Sequence, residues 1–278
     1  MKIFRNPQKL QKWCRERRLS GAKIALVPTM GALHEGHLSL IAEAKRRGAD
    51  EIIVSIFVNP VQFGPNEDYE KYPRDEKSDL GKCRKAGASA VFYPTPQNMY
   101  LDEHSVYVNE EKLSQGLCGA KRPGHFRGVC TVVAKLFNLV DPDFAVFGQK
   151  DYQQAKIIRR MARDLNFPVN VVVAPIVREK SGLALSSRNA YLSEEERAMA
   201  LAISRTLGDL QHGKTFRKLT WVQSELEKAG LNVDYVECVD AETLKPLKSI
   251  RAGACVLVAA YAGKTRLIDN VEIKERKC

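Results

Sequence analysis

The sequence predicts an α/β protein built on a parallel β-sheet with helices on both faces, followed by a smaller α+β region. Runs that are almost entirely apolar, such as residues 51–58 (EIIVSIFV), alternate with longer amphipathic stretches as far as residue 176. Strands that are apolar at nearly every position are buried on both faces, as in parallel sheets with helical crossovers. Beyond residue 176 this alternation stops. We therefore expect two domains, residues 1–176 and residues 177–278.

The elements of the first domain follow from local apolar patterns and from helix-breaking residues. The predicted strands are residues 23–27, 51–58, 90–93, 143–147 and 169–174. The predicted helices are residues 6–18, from near 37 toward 45, 76–86, 129–140 and 149–165. In an open parallel sheet, ligands bind beyond the carboxyl ends of the strands. We therefore expect the loops after the first, second and fourth predicted strands to converge on one crevice.

The second domain has a different pattern. A polar segment rich in Ser and Arg, residues 177–189, marks the predicted boundary. The predicted helices that follow are residues 193–212 and 216–229, and the predicted strands are residues 233–239, 255–261 and 267–273. Helices followed by a run of strands, without a strand–helix–strand rhythm, indicate an α+β domain.

The composition predicts a cytoplasmic globular protein. No apolar run in the 278 residues approaches the ~20 residues of a membrane span, so we expect no membrane partner. The first residues lack the uninterrupted apolar core of a signal peptide. The seven cysteines have no paired spacing, which indicates reduced thiols in the cytoplasm.

The net charge of +11 has two interpretations. A basic protein can bind nucleic acid. Here, however, the basic residues are dispersed over predicted helix faces and the C-terminal tail, which favours a solvated surface, with anionic substrates as a second contribution. We expect no nucleic-acid partner.

The stretch VPTMGALHEGHL, residues 27–38, carries the first chemical signal. An apolar strand ends at a proline, turns through two glycines and enters a helix, whose N-terminus offers backbone N–H groups and a dipole that favour phosphate. His34 and His37 lie three residues apart, so both side chains can reach one phosphate. The alternatives are two ordinary helix histidines or a metal-binding pair. A zinc site would need further ligands, and the other histidines and cysteines show no ligand spacing.

Two later segments carry related chemistry. Lys150 and Gln154 lie one turn apart at a helix start that follows a strand, where a lysine could neutralise a leaving pyrophosphate. Ser186, Ser187 and Arg188 combine hydroxyls with a guanidinium that matches phosphate oxygens. A surface lysine and a polar linker are the alternatives. The chain contains neither a P-loop motif nor a G-x-G-x-x-G motif, which argues against a Walker-type ATPase and a dinucleotide-dependent dehydrogenase.

Taken together, several motifs in fixed order resemble the pantothenate synthetase family. They are PTMGALHEGHLSL, FVNPVQF, YPRD, RPGHFRGV, FGQKDYQQ and LALSSRNAYL. The resemblance covers residues 27 to 192 and implies an ATP-dependent ligase that joins pantoate to β-alanine through a pantoyl adenylate, releasing AMP and pyrophosphate. It also implies a Rossmann-like first domain, a smaller C-terminal lid domain, Mg²⁺ as cofactor and a homodimer.

The resemblance also implies roles for individual residues. The implied catalytic residues are His37, His34, Lys150 and Arg188. The implied ATP-binding residues are Met30, Gly31, Ala32, Leu33, His34, Glu35, Gly36, His37, Gly148, Gln149, Lys150, Asp151, Val177, Leu185, Ser186, Ser187 and Arg188. The implied substrate-binding residues are Gln62, Gln154, Asn59, Arg122 and His125, and the implied metal residue is Asp79.

Two positions depart from the family pattern. Leu185 stands where the family usually has Met, a swap of similar size and polarity. Around Asp79 the family often has a richer acidic cluster, which weakens the metal assignment. The rival interpretations are a truncated class I aminoacyl-tRNA synthetase, which would need a Lys-Met-Ser-Lys-Ser motif that is absent here, and a nucleic-acid-binding module without catalysis.

Overall fold

The computed structural model describes residues 1–65, 67–211 and 218–274. Contacts divide the chain into two compact units. The first unit comprises Met1–Gln149 and Gln154–Pro175. The second comprises Lys150–Gln153 and the chain from Ile176 onward. The short segment Lys150–Gln153 therefore groups with the second unit, although the predicted boundary at residue 176 assigned it to the first domain.

The first unit contains a six-stranded sheet in the order β1-β4-β3-β2-β5-β6, and all neighbouring strands are parallel. The strands are β1 (Lys2–Phe4), β2 (Ile24–Thr29), β3 (Glu51–Ile56), β4 (Ala90–Phe92), β5 (Phe144–Gly148) and β6 (Asn170–Ala174). β3 is buried along its whole length, as its apolar run predicts. The predicted fold class is confirmed.

Helices alternate with these strands. They are α1 (Pro7–Leu19), α2 (Glu35–Arg46), α3 (Glu76–Ala86), α4 (Pro96–Met99), α5 (Leu117–Lys121), α6 (His125–Val140) and α7 (Tyr152–Asp164). Short 3₁₀ turns occupy Pro60–Gln62 and Gln149–Asp151. β3, β2 and β5 are neighbours in the sheet, so the carboxyl ends of the strands that precede the predicted site loops lie side by side.

Several details of the first unit differ from the sequence prediction, among them the short helices α4 and α5, which were not predicted. β1 was not predicted, because a three-residue strand is too short to show a periodic pattern. α2 begins at Glu35, earlier than predicted. The sequence did not reveal this start, because the N-cap is His34 rather than one of the residue types that usually cap a helix. α6 begins at His125 instead of residue 129, because its first turn reads as polar and glycine-rich in the sequence.

The second unit contains an antiparallel three-stranded sheet in the order β7-β8-β9. Its elements are a 3₁₀ turn at Ser187–Tyr191, α8 (Glu194–Gln211), α9 (Leu219–Lys228), β7 (Asn232–Asp240), β8 (Ala254–Ala262) and β9 (Thr265–Glu272). Leu207 on α8, Leu226 on α9 and Val256 on β8 share one buried core. The predicted α+β pattern is confirmed, and the predicted bounds at residues 212 and 216 lie outside the described residues.

Two general expectations can be compared with the fold. Every helix in the described ranges falls short of the length and apolar character that crossing a membrane requires. The described cysteines are all free thiols, and five of the six are buried. Burial raises the pKa of Cys14, Cys83 and Cys130 to about 12, so these thiols stay protonated at neutral pH and are poor nucleophiles.

Candidate active site

The loop after β2 is shaped by a buried aspartate from α3. The Asp79 carboxylate is 1% exposed, and it accepts hydrogen bonds from the backbone nitrogens of Ala32 (2.9 Å) and Leu33 (2.8 Å). Burial raises the pKa of Asp79, and these two hydrogen bonds oppose the rise. Lys82, one turn further along α3, donates from Nζ to the Leu33 carbonyl at 2.6 Å. One helix therefore holds both the N–H groups and a carbonyl of this loop.

Gly31 fits this tight turn because it carries no side chain. Its φ angle is +88°, in the region that favours glycine. A Cβ at this position would lie 3.0 Å from Asp79 Oδ2 and 3.0 Å from Ile56 Cγ2. A larger residue here would displace the carboxylate that orders the loop.

The paired imidazoles cap α2. His34 is the N-cap and its Nδ1 accepts from the Gly36 nitrogen at 3.1 Å, while His37 Nδ1 accepts from the His34 nitrogen at 3.3 Å. The ring centroids lie 4.1 Å apart. A ring nitrogen that accepts a hydrogen bond carries no proton, so each neutral ring bears its proton on Nε2. Each neutral ring therefore has its N–H at Nε2, beside the N-terminus of a helix whose dipole favours anions.

The loop after β3 carries a second polar group. Asn59 and Gln62 are buried, and Asn59 Nδ2 donates to Gln62 Oε1 at 3.0 Å and to the Gly128 carbonyl at 3.1 Å. Gln62 Nε2 lies 3.1 Å from the Met30 sulfur, which connects this loop to the one after β2. The first two predicted site loops therefore meet, as the strand-end rule predicts.

Gly128 allows α6 to approach this second loop closely. A Cβ at Gly128 would lie 2.5 Å from the Val61 carbonyl oxygen and 2.6 Å from the Gln62 backbone nitrogen. Neither backbone atom can move away cheaply, so a side chain here would push α6 off the loop. The glycine was part of a motif in the sequence, but its steric role became visible only in the structure.

His125 contacts the same loop at Gln62, and Arg122 contacts His125. The Arg122 guanidinium donates to both Glu67 carboxylate oxygens at 2.6 Å, and these bonds lower the pKa of Glu67 although burial opposes them. Since a carbonyl only accepts, His125 Nδ1 donates to the Gln62 carbonyl at 2.9 Å, and its Nε2 accepts from Arg122 at 2.9 Å. His125 thus carries its proton on the opposite nitrogen from His34 and His37. These contacts indicate that the pair braces the Gln62 loop.

In the second unit, Lys150 is fixed through its backbone. The Lys150 carbonyl accepts from Asn270 Nδ2 at 3.1 Å. Close by, the hydroxyl of Tyr152 lies 2.9 Å from the Ala241 carbonyl and 2.8 Å from Glu272 Oε1. The β-sheet of the second unit therefore positions the start of the segment that carries Lys150.

Residues 177–188 of the second unit are held by ion pairs as well as by backbone hydrogen bonds. Arg178 forms two hydrogen bonds to Asp269, at 2.6 and 3.1 Å, and Arg197 forms two to Glu179, at 2.9 and 2.8 Å. Although burial opposes it, hydrogen bonds from Asn189 and Arg197 lower the pKa of Glu179.

The backbone of the same segment folds back on itself. The Leu185 nitrogen donates to the Val177 carbonyl at 3.0 Å. Ser186 caps the following 3₁₀ turn by accepting from the Arg188 nitrogen at 3.2 Å. The serines and the arginine predicted from the sequence therefore stand on an ordered turn.

Comparison with known proteins identifies the family. A model of the pantoate–β-alanine ligase family matches residues 2–272. The chain belongs to the pantoate–β-alanine ligase family. Among curated relatives, the chain is 53% identical to the pantothenate synthetase of Clostridium novyi, over 95% of this chain and 96% of that protein. It is also 53% identical to the pantothenate synthetase of Myxococcus xanthus, over 98% and 96%.

Solved structures of the family have the same fold. The pantothenate synthetase of Thermus thermophilus is 42% identical, with a TM-score of 0.89 over 99% of this ligase and 100% of that chain. The pantoate–β-alanine ligase of Francisella tularensis, complexed with beta-gamma ATP and β-alanine, is 34% identical, with a TM-score of 0.84 over 98% of this ligase and 97% of that chain.

The predicted site residues of this ligase are divided between the two units. The first unit holds residues 30–37, Asn59, Gln62, Gly148, Gln149 and the half-buried Gln154. The second unit holds Lys150, Asp151, Val177 and residues 185–188. The individual roles assigned to these residues stay predictions.

Two contacts to the predicted site loops were missed in the sequence. Lys82 was not singled out, because a lysine on a helix face gives no signal of a bond to a loop carbonyl 49 residues away. Tyr100 was not singled out either, although its hydroxyl donates to Asn59 Oδ1 at 2.7 Å. Within the described residues, no group of three or more His, Cys, Asp or Glu side chains is placed to hold a metal ion.

Proposed function

We propose that this ligase makes pantothenate in two steps, through a pantoyl adenylate. The overall reaction, ATP-dependent joining of pantoate to β-alanine, is that of the family to which the chain belongs. The observation that carries the two-step proposal is the pair of imidazoles at the α2 N-terminus. Their Nδ1 atoms accept the helix-capping hydrogen bonds, so each neutral ring has its proton on Nε2, the atom that this proposal assigns to a phosphate.

In the first step, a carboxylate oxygen of pantoate attacks the α-phosphorus of ATP. The bond between the α-phosphorus and the bridging oxygen breaks, and its electron pair leaves on pyrophosphate. Negative charge thus grows on oxygens that His34, His37, Lys150 and Arg188 neutralise in this proposal. Donors that are fixed before the reaction stabilise such charge without reorganisation.

In the second step, the neutral amine of β-alanine attacks the acyl carbon of the adenylate. The bond from this carbon to the phosphate oxygen breaks, AMP leaves with the electron pair, and the nitrogen loses a proton to form the amide. An acyl adenylate is readily hydrolysed, so water must be excluded. We propose that residues 177–278 act as the lid, since the second unit supplies both Lys150 and residues 185–188.

Substrate positioning is proposed to follow the two loops of the first unit. The backbone of residues 30–37, which Asp79 and Lys82 hold, binds ATP together with Gly148 and Gln149. Gln62 and Gln154 bind pantoate through amide groups that can both donate and accept. The contacts of Arg122 and His125 favour support of the Gln62 loop over direct substrate binding.

The described residues show no site that would hold a magnesium ion through the protein alone. Both oxygens of Asp79 already accept backbone hydrogen bonds, and the described part of the chain has no cluster of metal-binding side chains. Mg²⁺ commonly binds ATP phosphates and keeps several waters. We therefore propose that the ion enters with the substrate, as magnesium–ATP, and that Asp79 shapes the loop.

The assembly and location are proposals as well. A homodimer is proposed on the family resemblance, and light scattering of the purified protein will measure the mass that tests it. A cytoplasmic location is supported by the free thiols of the described cysteines, since a reducing compartment preserves them.

The overall proposal is tested with purified protein, ATP, magnesium and paired substrates. We expect AMP, pyrophosphate and pantothenate to form only when pantoate and β-alanine are both present. If amino acids other than β-alanine replaced pantoate as the activated acid, the synthetase-like interpretation would be correct instead. RNA binding that weakens steeply with salt, in a protein without ligase activity, would support a nucleic-acid module.

A further inference from the structure

Tyr100 donates a hydrogen bond into the polar group that carries Gln62. It directly follows α4, and its hydroxyl lies 2.7 Å from Asn59 Oδ1. Its ring is held by T-shaped contact with His104, with ring centroids 4.9 Å apart, and Lys135 Nζ lies 5.7 Å from the ring centroid. Burial raises the pKa of Tyr100, so the hydroxyl keeps its proton at neutral pH.

The orientation of the Asn59 amide follows from its partners. The Gly128 carbonyl can only accept, so Asn59 Nδ2 must face it, at 3.1 Å. The opposite end of the amide, Oδ1, then faces the Tyr100 hydroxyl. The other contact to Oδ1, from the Val61 nitrogen, is longer, at 3.4 Å. Of these two donors to Asn59 Oδ1, the Tyr100 hydroxyl is the closer.

The Asn59 orientation in turn determines that of Gln62. Asn59 Nδ2 also donates to Gln62 Oε1 at 3.0 Å, which fixes the oxygen end of the Gln62 amide. Gln62 Nε2 therefore points away from Asn59, toward the Met30 sulfur at 3.1 Å. A thioether is a weak acceptor, so an oxygen of a bound substrate is a better partner for these N–H groups.

We propose that Tyr100 is a positioning residue for the acid substrate: through Asn59, it fixes Gln62 with its amide N–H groups presented to an oxygen of pantoate. The proposal rests on the proposed function, because it assigns pantoate to Gln62. It concerns the binding of one substrate and leaves ATP unaffected.

The test is the variant Tyr100→Phe, which removes one hydroxyl and keeps the ring. We expect the KM for pantoate to rise roughly 5- to 30-fold, as loss of one buried hydrogen bond to a positioned amide predicts, with the KM for ATP unchanged. Tyr107→Phe is the matched control, since Tyr107 also packs against His104, with ring centroids 4.8 Å apart, and should leave both constants unchanged. An unchanged KM for pantoate in Tyr100→Phe would overturn the proposal.

A double-mutant cycle separates positioning from general destabilisation. If Tyr100 acts through Gln62, then Tyr100→Phe should add no further rise in the KM for pantoate when Gln62 is already alanine. If the two substitutions raised the KM for pantoate independently, so that their fold-changes multiplied, the proposed action of Tyr100 through Gln62 would be overturned, even if each single variant were impaired. The wild-type protein is the reference for the proposed function, which fails if the wild type does not use pantoate. If the wild type uses pantoate and the KM for pantoate is unchanged in Tyr100→Phe, only the positioning role of Tyr100 is refuted.

Discussion

Residues 30–37 of the first unit and residues 177–188 of the second both carry groups suited to phosphate, and each is held by its own set of contacts. The first segment is ordered by hydrogen bonds between its backbone and the buried Asp79, and by two imidazole caps. The second also has backbone hydrogen bonds, such as that from Leu185 to Val177, and adds the ion pairs Arg178–Asp269 and Arg197–Glu179, whose arginine side chains are 33% and 37% exposed.

The difference indicates how each segment responds to its surroundings. Salt screens partly exposed ion pairs and has little effect on buried hydrogen bonds to the backbone. We therefore expect the first segment to keep its conformation across conditions, and the second to lose the contribution of its ion pairs in salt or acid. Weaker restraints on the second segment are what the proposed lid role requires, since a lid must open to release product.

The largest expected effect comes from His37→Gln, which tests the chemical role of the first segment. Glutamine at the third helical position can still accept from the N-cap nitrogen, so the cap is retained and the melting temperature should change little. The variant loses the imidazole Nε2–H. We expect turnover to fall about 100-fold or more, measured by AMP release.

His37→Ala is the companion variant, since it removes the cap together with the imidazole. It should match His37→Gln in lost turnover and also unfold at a lower temperature. Near-normal turnover in His37→Gln would show that the histidine acts only as a cap. His34→Asn applies the same logic to the N-cap position, where asparagine is a preferred cap.

Lys150→Met should lower turnover on the order of 100-fold, because it removes the positive charge that the proposed mechanism places beside the leaving pyrophosphate. The Lys150 backbone contact to Asn270 is retained, so the fold should persist. Lys264→Met is the matched control, since this lysine is exposed on the β8–β9 turn of the same unit. Equal activities of the two variants would remove Lys150 from the mechanism.

Asp79→Asn should destabilise the first unit by about 1–3 kcal/mol, because the amide nitrogen would face one of two buried N–H groups. We expect a higher KM for ATP together with the lower stability, measured by denaturant unfolding and steady-state kinetics. Asp75→Asn makes the same chemical change at the N-cap of α3, where asparagine caps equally well, and should be nearly neutral. If Asp79 instead held magnesium, added Mg²⁺ would restore the activity of Asp79→Asn, and our assignment would be wrong.

The smallest effect is expected for Glu179→Gln, at most about 1 kcal/mol, because the ion pair is partly exposed. The pKa of Glu179 is lowered in the folded state, so its contribution is present above the ordinary value of 4.5 and is lost as the pH falls through the lower folded value. Wild type should therefore lose more stability than Glu179→Gln between neutral and acid pH, in thermal melts. Parallel pH curves for the two proteins would contradict the assignment.

The sequence predicted the sheet well and placed its motifs at strand ends, because both are local signals. Apolar runs marked β2, β3, β5 and β6, and the His-x-Gly-His motif stood at a strand end. It could not predict the partners of those motifs. Asp79 bonds to residues 46 and 47 positions away, and Tyr100 to one 41 positions away, so no local pattern indicates either contact.

The sequence also did not predict which unit contains Lys150–Gln153. Lys150 follows a parallel strand in the way that first-domain residues do, yet its segment groups with the second unit. In this segment the Lys150 carbonyl bonds to Asn270 and the Tyr152 hydroxyl bonds to Glu272, and each partner lies 120 positions further along the chain. Only folding brings them together.

The most direct test of the account is ATP–pyrophosphate exchange in the absence of β-alanine. We predict that radioactive pyrophosphate enters ATP only when pantoate is present, and that His37→Gln abolishes most of this exchange. Those results would establish a reversible pantoyl-adenylate step that depends on the α2 imidazoles. Absence of exchange with pantoate, in a protein that still makes pantothenate, would contradict the two-step mechanism.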